Sequence, residues 1–141
     1  IGTNPPTGQQ MNSGELAVEL VPQGTLAEQI RAAGAGLGGI LTPTGLGTVA
    51  QQGKEVISVG GKEYILAEPI FADVALIKAY QADRSGNLVF RRSARNFNPL
   101  MAMAAKLVLA EVEQIVEIGD IDPDHVITPG IFVDYLVWEG R

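Results

Sequence analysis

The stretch that most constrains this chain runs from Val21 to Ala50. It starts as a strand end, becomes a short helix, and then places Gly34, Gly36, Gly38, Gly39, Gly45 and Gly47 within fourteen positions. Glycine reaches positive φ without steric cost and lets a backbone approach a ligand closely, but it loses more entropy on folding than any other residue. So many glycines together predict a segment selected for something other than local order. Long structureless loops inside compact domains are usually functional lids or disordered segments. The expectation is a lid or ligand-facing loop.

The chain around this loop alternates between strand and helix patterns. Asn4–Gly14 holds Asn-Pro-Pro, Thr-Gly and Ser-Gly and reads as a loop with at most one helical turn. Leu16, Val18 and Leu20 alternate with Ala17 and Glu19, a strand pattern ending at Pro22. Gly24 or Thr25 then caps a helix to about Ala33, with Leu26, Ile30 and Ala33 on one face and Gly34 as its C′ residue. Downstream, Glu55–Val59 and Lys62–Leu66 flank Gly60-Gly61, a strong hairpin signal. Asp73–Tyr80 is almost continuously apolar, as expected of a strand covered on both faces. A turn at Asp83–Asn87 precedes a short strand, Leu88–Phe90. A helix opens at Asn98-Pro99 and runs to Lys106. Leu107–Val112 and Ile131–Val137 are predicted strands, with a turn at Asp122–Asp124 between them.

The predicted fold is α/β, a largely parallel twisted sheet with flanking helices plus an inserted β-hairpin, forming one domain over residues 1–141. Ile1-Gly2-Thr3-Asn4 reads as the tail of a strand entering a loop, so the chain is expected to begin mid-domain.

Composition removes several classes of function. Without cysteine there is no disulfide, thiolate metal site or Cys nucleophile. A net charge of −6 argues against nonspecific nucleic-acid binding. Apolar runs such as Met101–Ala105 are too short to cross a bilayer, and no signal-peptide pattern is present, so a cytoplasmic location is expected.

Gly34-Ala35-Gly36-Leu37-Gly38-Gly39 formally fits a dinucleotide fingerprint, but a helix precedes it and Thr-Pro-Thr follows, the reverse of the required context. His125 is the lone histidine and reads as a surface turn residue. Asp120, Asp122 and Asp124 lack the glycine and distal glutamate of a calcium loop, so no metal site is expected. Arg91, Arg92 and Arg95 could hold an anion, although an anchoring role in the structure fits slightly better. Gln23 lies between Pro22 and Gly24 at the predicted carboxyl end of a strand, where α/β sheets bind ligands, and a side-chain amide there can stabilise an oxyanion.

Several ordered blocks together resemble the alpha subunit of family I coenzyme A transferases, the acetate/acetoacetate and succinyl-CoA:3-ketoacid branch being nearest. They are Ser13-Gly14-Glu15-Leu16, Val21–Arg31, Gly34–Gly39, Leu41–Thr48, Ala82–Leu88, Ser93–Pro99 and Thr128–Ile131. The resemblance covers essentially the whole chain. It implies ping-pong transfer of coenzyme A between a short-chain acyl-CoA and a carboxylic or 3-keto acid, through covalent catalysis by a carboxylate. In the family that carboxylate is a glutamate of the beta subunit, within a Glu-Asn-Gly motif that this chain lacks. The resemblance further implies that Gln23 supports the reacting oxygens without being the nucleophile, and that Gly34, Gly36, Gly38, Gly39, Thr42 and Gly45 border the substrate cleft. No permanently bound cofactor is implied, coenzyme A being a substrate. The partner implied is a beta subunit, in an α2β2 or larger hetero-oligomer. The family's alpha subunit has further strands and helices before the position of Ile1, so an exposed edge or core face is expected here, and association with another chain. The rival expectation is a non-catalytic assembly or acyl-CoA-binding module with a decayed site.

Overall fold

The computed structural model describes residues 3–138 and 140. The strand tail expected at Ile1-Gly2 lies outside the described residues, as does Glu139. Two sheets form. The larger has the order β5-β4-β6-β7, built from β4 (Ala72–Asp83), β5 (Leu88–Val89), β6 (Ala105–Val116) and β7 (Tyr135–Trp138). β4, β6 and β7 are mutually parallel, and only the edge strand β5 runs antiparallel. The smaller sheet is fully antiparallel, ordered β1-β3-β2 from β1 (Ile40–Thr42), β2 (Val56–Val59) and β3 (Lys62–Ala67). Three α-helices, α1 (Pro5–Ser13), α2 (Gln23–Gly34) and α3 (Asn98–Ala104), complete the framework. The α/β class, the largely parallel sheet and the hairpin are as expected. Gly60 and Gly61 both take positive φ, 59° and 77°, as a two-residue turn between twisted strands needs.

The core lies on one face of the parallel sheet. Ala75, Ile77 and Ala79 of β4 and Val108, Ala110 and Val112 of β6 point into it, against Leu88, Phe90 and Ala102. No helix among the described residues is long and apolar enough to cross a membrane.

Several local expectations are corrected. Within Asn4–Gly14, Pro5–Ser13 is a nine-residue helix, not a loop. The Asn4 side chain accepts from Thr7 N–H at 3.3 Å, and Gly14, left-handed, closes the other end. The residues that resembled loop punctuation are caps. Glu15–Leu20 forms no strand, because no pairing partner exists for it among the described residues, and Leu20 is 67% exposed. Pro22 caps α2 instead of ending a strand. The buried stripe of α2 is Thr25, Gln29, Ala32 and Ala33, small or polar, in place of Leu26 and Ile30. α3 ends at Ala104, two residues early, and β6 is correspondingly longer than predicted. Gly130–Phe132 is a 3-10 turn, so the last strand starts only at Tyr135. Asn87 Oδ1 accepts from the Gly130 N–H at 2.9 Å, which holds this segment to the β4–β5 turn, and Asp134 Oδ2 accepts from the Val108 N–H at 2.8 Å just before pairing with β6 begins. Finally, β4 is covered on one face only, with Val74 and Leu76 exposed.

Candidate functional site

Gln23 is the first residue of α2 and is exposed. The first intrahelical bond runs from Leu26 N–H to Pro22 C=O at 3.0 Å, so the N–H groups of Gln23, Gly24 and Thr25 fall outside the helical ladder. Neither a side-chain cap nor an acidic residue occupies that turn. The positive end of the helix macrodipole therefore stands beside the Gln23 carboxamide, where developing negative charge is favoured.

α2 is held rigidly. Gln29 Nε2 donates to Glu68 C=O at 2.8 Å, and the Ile70 N–H donates to Gln29 C=O at 3.2 Å, tying the helix to the segment leading into β4. Gln29 is buried, and its Oε1 has no hydrogen-bond partner. The anchor joins Gln29 to a carbonyl 39 positions away, which the helix pattern alone does not reveal.

The glycine segment is not a structureless lid. Gly34 remains inside α2, and a Cβ there would stand 2.5 Å from the Met103 Cβ, so its absence sets the approach of α2 to α3. Gly36, at φ 68°, is the true C′ residue: the Leu37 N–H reaches Ala32 C=O and the Gly36 N–H reaches Ala33 C=O, closing the helix in a Schellman arrangement. Gly39 lies against β3, where a Cβ would come 2.9 Å from Ala67 C=O. Thr42 pairs with Ile65 in β1, and its hydroxyl accepts from Thr44 N–H at 3.2 Å. Gly45 turns the chain beside Ala50, with Thr48 Oγ1 donating to its carbonyl at 2.7 Å. Gly38 alone of these has open space around it and an ordinary φ. Secondary structure thus accounts for most of the glycines, and the lid expectation gives way to a helix end, a strand and a turn.

Gln23 and Gly34 occupy opposite ends of α2, about 16 Å apart at 1.5 Å per residue, so the described residues do not bring them together. A cavity of about 250 Å³ lies beside the middle of α2, lined by Gln29, Lys54, Glu55 and Glu68 among others, and neither Gln23 nor the glycines line it.

Of the remaining sequence candidates, two arginines have contacts within the fold, while Arg92, at φ 55°, is exposed. Arg91 stacks over the Tyr80 ring, 5.2 Å from its centroid, and Arg95 Nε donates to Phe90 C=O at 3.1 Å. His125 is exposed in a 3-10 turn that Asp122 caps, and no cluster fit to hold a metal ion exists among the described residues. A buried hub at Asp83 escaped the sequence reading, which saw only a turn. Its Oδ1 accepts from Ser85 N–H, Ser85 Oγ and Asn87 N–H, and its Oδ2 from Asn87 Nδ2, at 2.7–3.0 Å. Burial pushes the Asp83 carboxyl up, but these hydrogen bonds outweigh it and hold the group below its usual range.

A model of the coenzyme A transferase family matches residues 1–139. The chain is 56% identical to the acetate CoA-transferase subunit alpha of Escherichia coli K12, over 97% of this chain and 62% of that one. It is 51% identical to the acetoacetyl-CoA:acetate/butyrate CoA transferase alpha subunit of Clostridium acetobutylicum, over 99% of this chain and 64% of that one. The chain therefore spans about three-fifths of the length of these curated relatives. Among solved structures, an acyl-CoA transferase of E. coli O157:H7, crystallised as a thioester complex with CoA, superposes with a TM-score of 0.83 at 25% identity, over 93% of this chain and 29% of that one.

Proposed function

The chain belongs to the coenzyme A transferase family, and from that premise we propose that it is the alpha-subunit component of an enzyme moving coenzyme A between a short-chain acyl-CoA and a carboxylic or 3-keto acid. The observation that carries this reading is the 56% identity to an acetate CoA-transferase alpha subunit along 97% of the chain. In this reading, as the family resemblance implies, the nucleophile comes from a beta subunit in an α2β2 or larger assembly, which agrees with no glutamate of this chain being followed by Asn-Gly.

The chemistry runs in two balanced halves. The partner's glutamate carboxylate attacks the acyl-CoA carbonyl, expels the CoA thiolate and forms a mixed anhydride. The thiolate then attacks the glutamyl carbonyl, releasing the donor acid as its carboxylate and leaving a glutamyl-CoA thioester. The acceptor carboxylate reverses both steps, so one hard exchange is divided into easier ones. Gln23 donates its amide N–H to the oxygen that becomes negative in each tetrahedral intermediate, helped by the α2 N-terminus. The stretch Gly34–Gly45 contributes to the substrate wall, with Gly38 the residue there whose form the fold leaves least determined. The anchoring of α2 through Gln29 supports this role, since an oxyanion donor works by being fixed before the charge develops.

The test is CoA transfer from acetyl-CoA to acetoacetate and to butyrate. The chain is assayed alone, and a family-length alpha chain carrying it is assayed with its beta partner. Activity in the pair alone, with a glutamyl-CoA thioester trapped on beta, is the expected result. No transfer in any combination would replace the proposal with an assembly role.

A further inference from the structure

The segment before α2 and the 3-10 turn after the glycine stretch together line a groove of about 540 Å³. Val18 and Leu20 come from the segment, Val49 and Ala50 from the turn. Leu20 is 67% exposed and Val49 80%, so neither serves the core. The turn that carries Val49 is nonetheless fixed. Thr48 Oγ1 accepts from the Ala50 N–H at 3.2 Å, the Gly47 N–H donates to Gln51 Oε1 at 2.7 Å, and the Lys54 N–H donates to Gln51 C=O at 3.0 Å. The groove lies close to Gln23, since three residues carry the chain at most about 11 Å from Leu20 to Gln23.

Glu19 and Lys54 are the only charged side chains lining this groove, and Lys54 Nζ meets Glu19 Oε1 at 3.0 Å. The two partners are unequal: the Lys54 side chain is 23% exposed and that of Glu19 70%. A partly buried ammonium needs an anion beside it, whereas a carboxylate largely in water loses little by leaving. Glu19 and Lys54 also border the cavity beside α2, but Glu55 and Glu68 join them there and repel a second anion. An incoming anion is therefore favoured on the groove side of Lys54. Apolar walls with one partly buried ammonium among them match an aliphatic chain that ends in a carboxylate. We propose that the groove binds a short-chain aliphatic carboxylate, its head on the Lys54 ammonium in place of Glu19 and its methylenes between Leu20 and Val49. The choice of acid rests on the transferase reading, whose donor and acceptor are acids of this class.

The test follows the NMR signals of labelled leucine and valine methyl groups while sodium butyrate is added. It is run on this chain, and on a family-length alpha chain carrying it and assembled with its beta partner. The Leu20 and Val49 signals should move saturably in both, with a dissociation constant on the order of 1–10 mM, as so small a ligand allows. Val59, exposed but outside the groove, should not respond. Butylammonium, with the same chain and the opposite charge, should move neither signal, and acetate should bind up to about tenfold more weakly for want of two methylenes. Glu19→Gln removes the competing carboxylate and should tighten butyrate binding by about threefold, the size of a surface ion pair. Lys54→Gln should weaken it by about tenfold. Val49→Glu, an exposed change that leaves Lys54 in place, should weaken it as much, so the conclusion does not hang on the folding of one variant. The proposal is overturned by Leu20 and Val49 signals that do not saturate, or by an equal response to butylammonium. It is also overturned by an affinity unchanged in both Lys54→Gln and Val49→Glu, or by binding that is lost in the assembled enzyme. Binding is read without turnover, so the two readings fail separately. An assembly that binds butyrate but transfers no CoA removes the transferase reading and leaves the site, and one that transfers CoA with Leu20 and Val49 unmoved removes the site alone.

Discussion

Gly34 of α2 and Met103 of α3 approach so closely that a Cβ on the glycine would stand 2.5 Å from the methionine Cβ and about 3.0 Å from its carbonyl carbon. The obstacle is backbone and Cβ, not the flexible end of a side chain, so repacking cannot relieve it. Gly34→Ala should therefore push the helices apart and destabilise the chain by about 1–3 kcal/mol, the range for overpacking. Alanine's better helix propensity would return no more than about 1 kcal/mol of that. Gly38→Ala, with no atom near its added methyl, is the control and should leave the urea midpoint unchanged. Equal midpoints for the two variants would show that the helices do not pack at this distance.

Gln23 carries the opposite expectation, function without stability. Its side chain is exposed at the end of α2 and forms no hydrogen bond that caps the helix. Gln23→Ala in the assembled enzyme should lower turnover by about 10–100-fold, somewhat less than the loss of a full oxyanion-hole donor. The thermal midpoint of the isolated chain should not move. Unchanged turnover would remove Gln23 from the mechanism, whereas a lower midpoint would make it a structural residue.

What was legible in the sequence follows from how local each signal is. The Gly60-Gly61 hairpin and the helix start at Asn98-Pro99 depend on neighbouring residues only, and both were read correctly. The error at Asn4–Gly14 was also local: Asn, Pro and Gly punctuate both loops and helix ends, and only the run between them tells the two apart. Strand pairing is not local. Leu16–Leu20 has the right alternation but no strand beside it, and Val74 and Leu76 sit in an apolar run that the described residues cover on one face only. In the site, Gln23 was singled out by family resemblance and by a predicted strand end that the structure replaces with the start of α2. The anchor at Gln29 depends on a carbonyl 39 positions away, which no short-range pattern encodes.

The parallel register of β4 on β6 is a constant offset of 33 residues, and it places Lys78 beside Glu111, Arg84 near Glu117 and Asp73 near Lys106. These pairs bond at 2.8–3.0 Å, yet the last two are more than 60% exposed on both partners. Exposed pairs contribute at most about 1 kcal/mol and often nothing measurable. Glu117→Gln and Asp73→Asn should each shift stability by less than about 0.5 kcal/mol, the usual range for surface changes. A larger loss, abolished by salt, would show that the register depends on charge and not on the apolar core.

Protonation of the Asp83 carboxylate should be felt by the whole fold. It is 3% exposed and takes hydrogen bonds from both Ser85 and Asn87, and Asn87 in turn holds the Gly130 N–H. Its native acidity is strengthened relative to a free carboxyl. The sign follows from linkage: with a folded pKa below the unfolded value, the stabilisation is complete above about pH 4, the ordinary Asp value, and fades as pH falls through the folded pKa. Asp83→Asn puts an amide N–H where the carboxylate accepted, against the Asn87 amide or the Ser85 donors, and should cost about 1–3 kcal/mol at pH 7. Because protonation removes the same acceptor from the parent chain, the gap between parent and variant should narrow as pH falls from about 4 to about 2 in urea titrations. A gap that stays constant across that range would mean that Asp83 acts through shape alone, and that its charge contributes nothing to holding the Thr128–Gly130 segment against the β4–β5 turn.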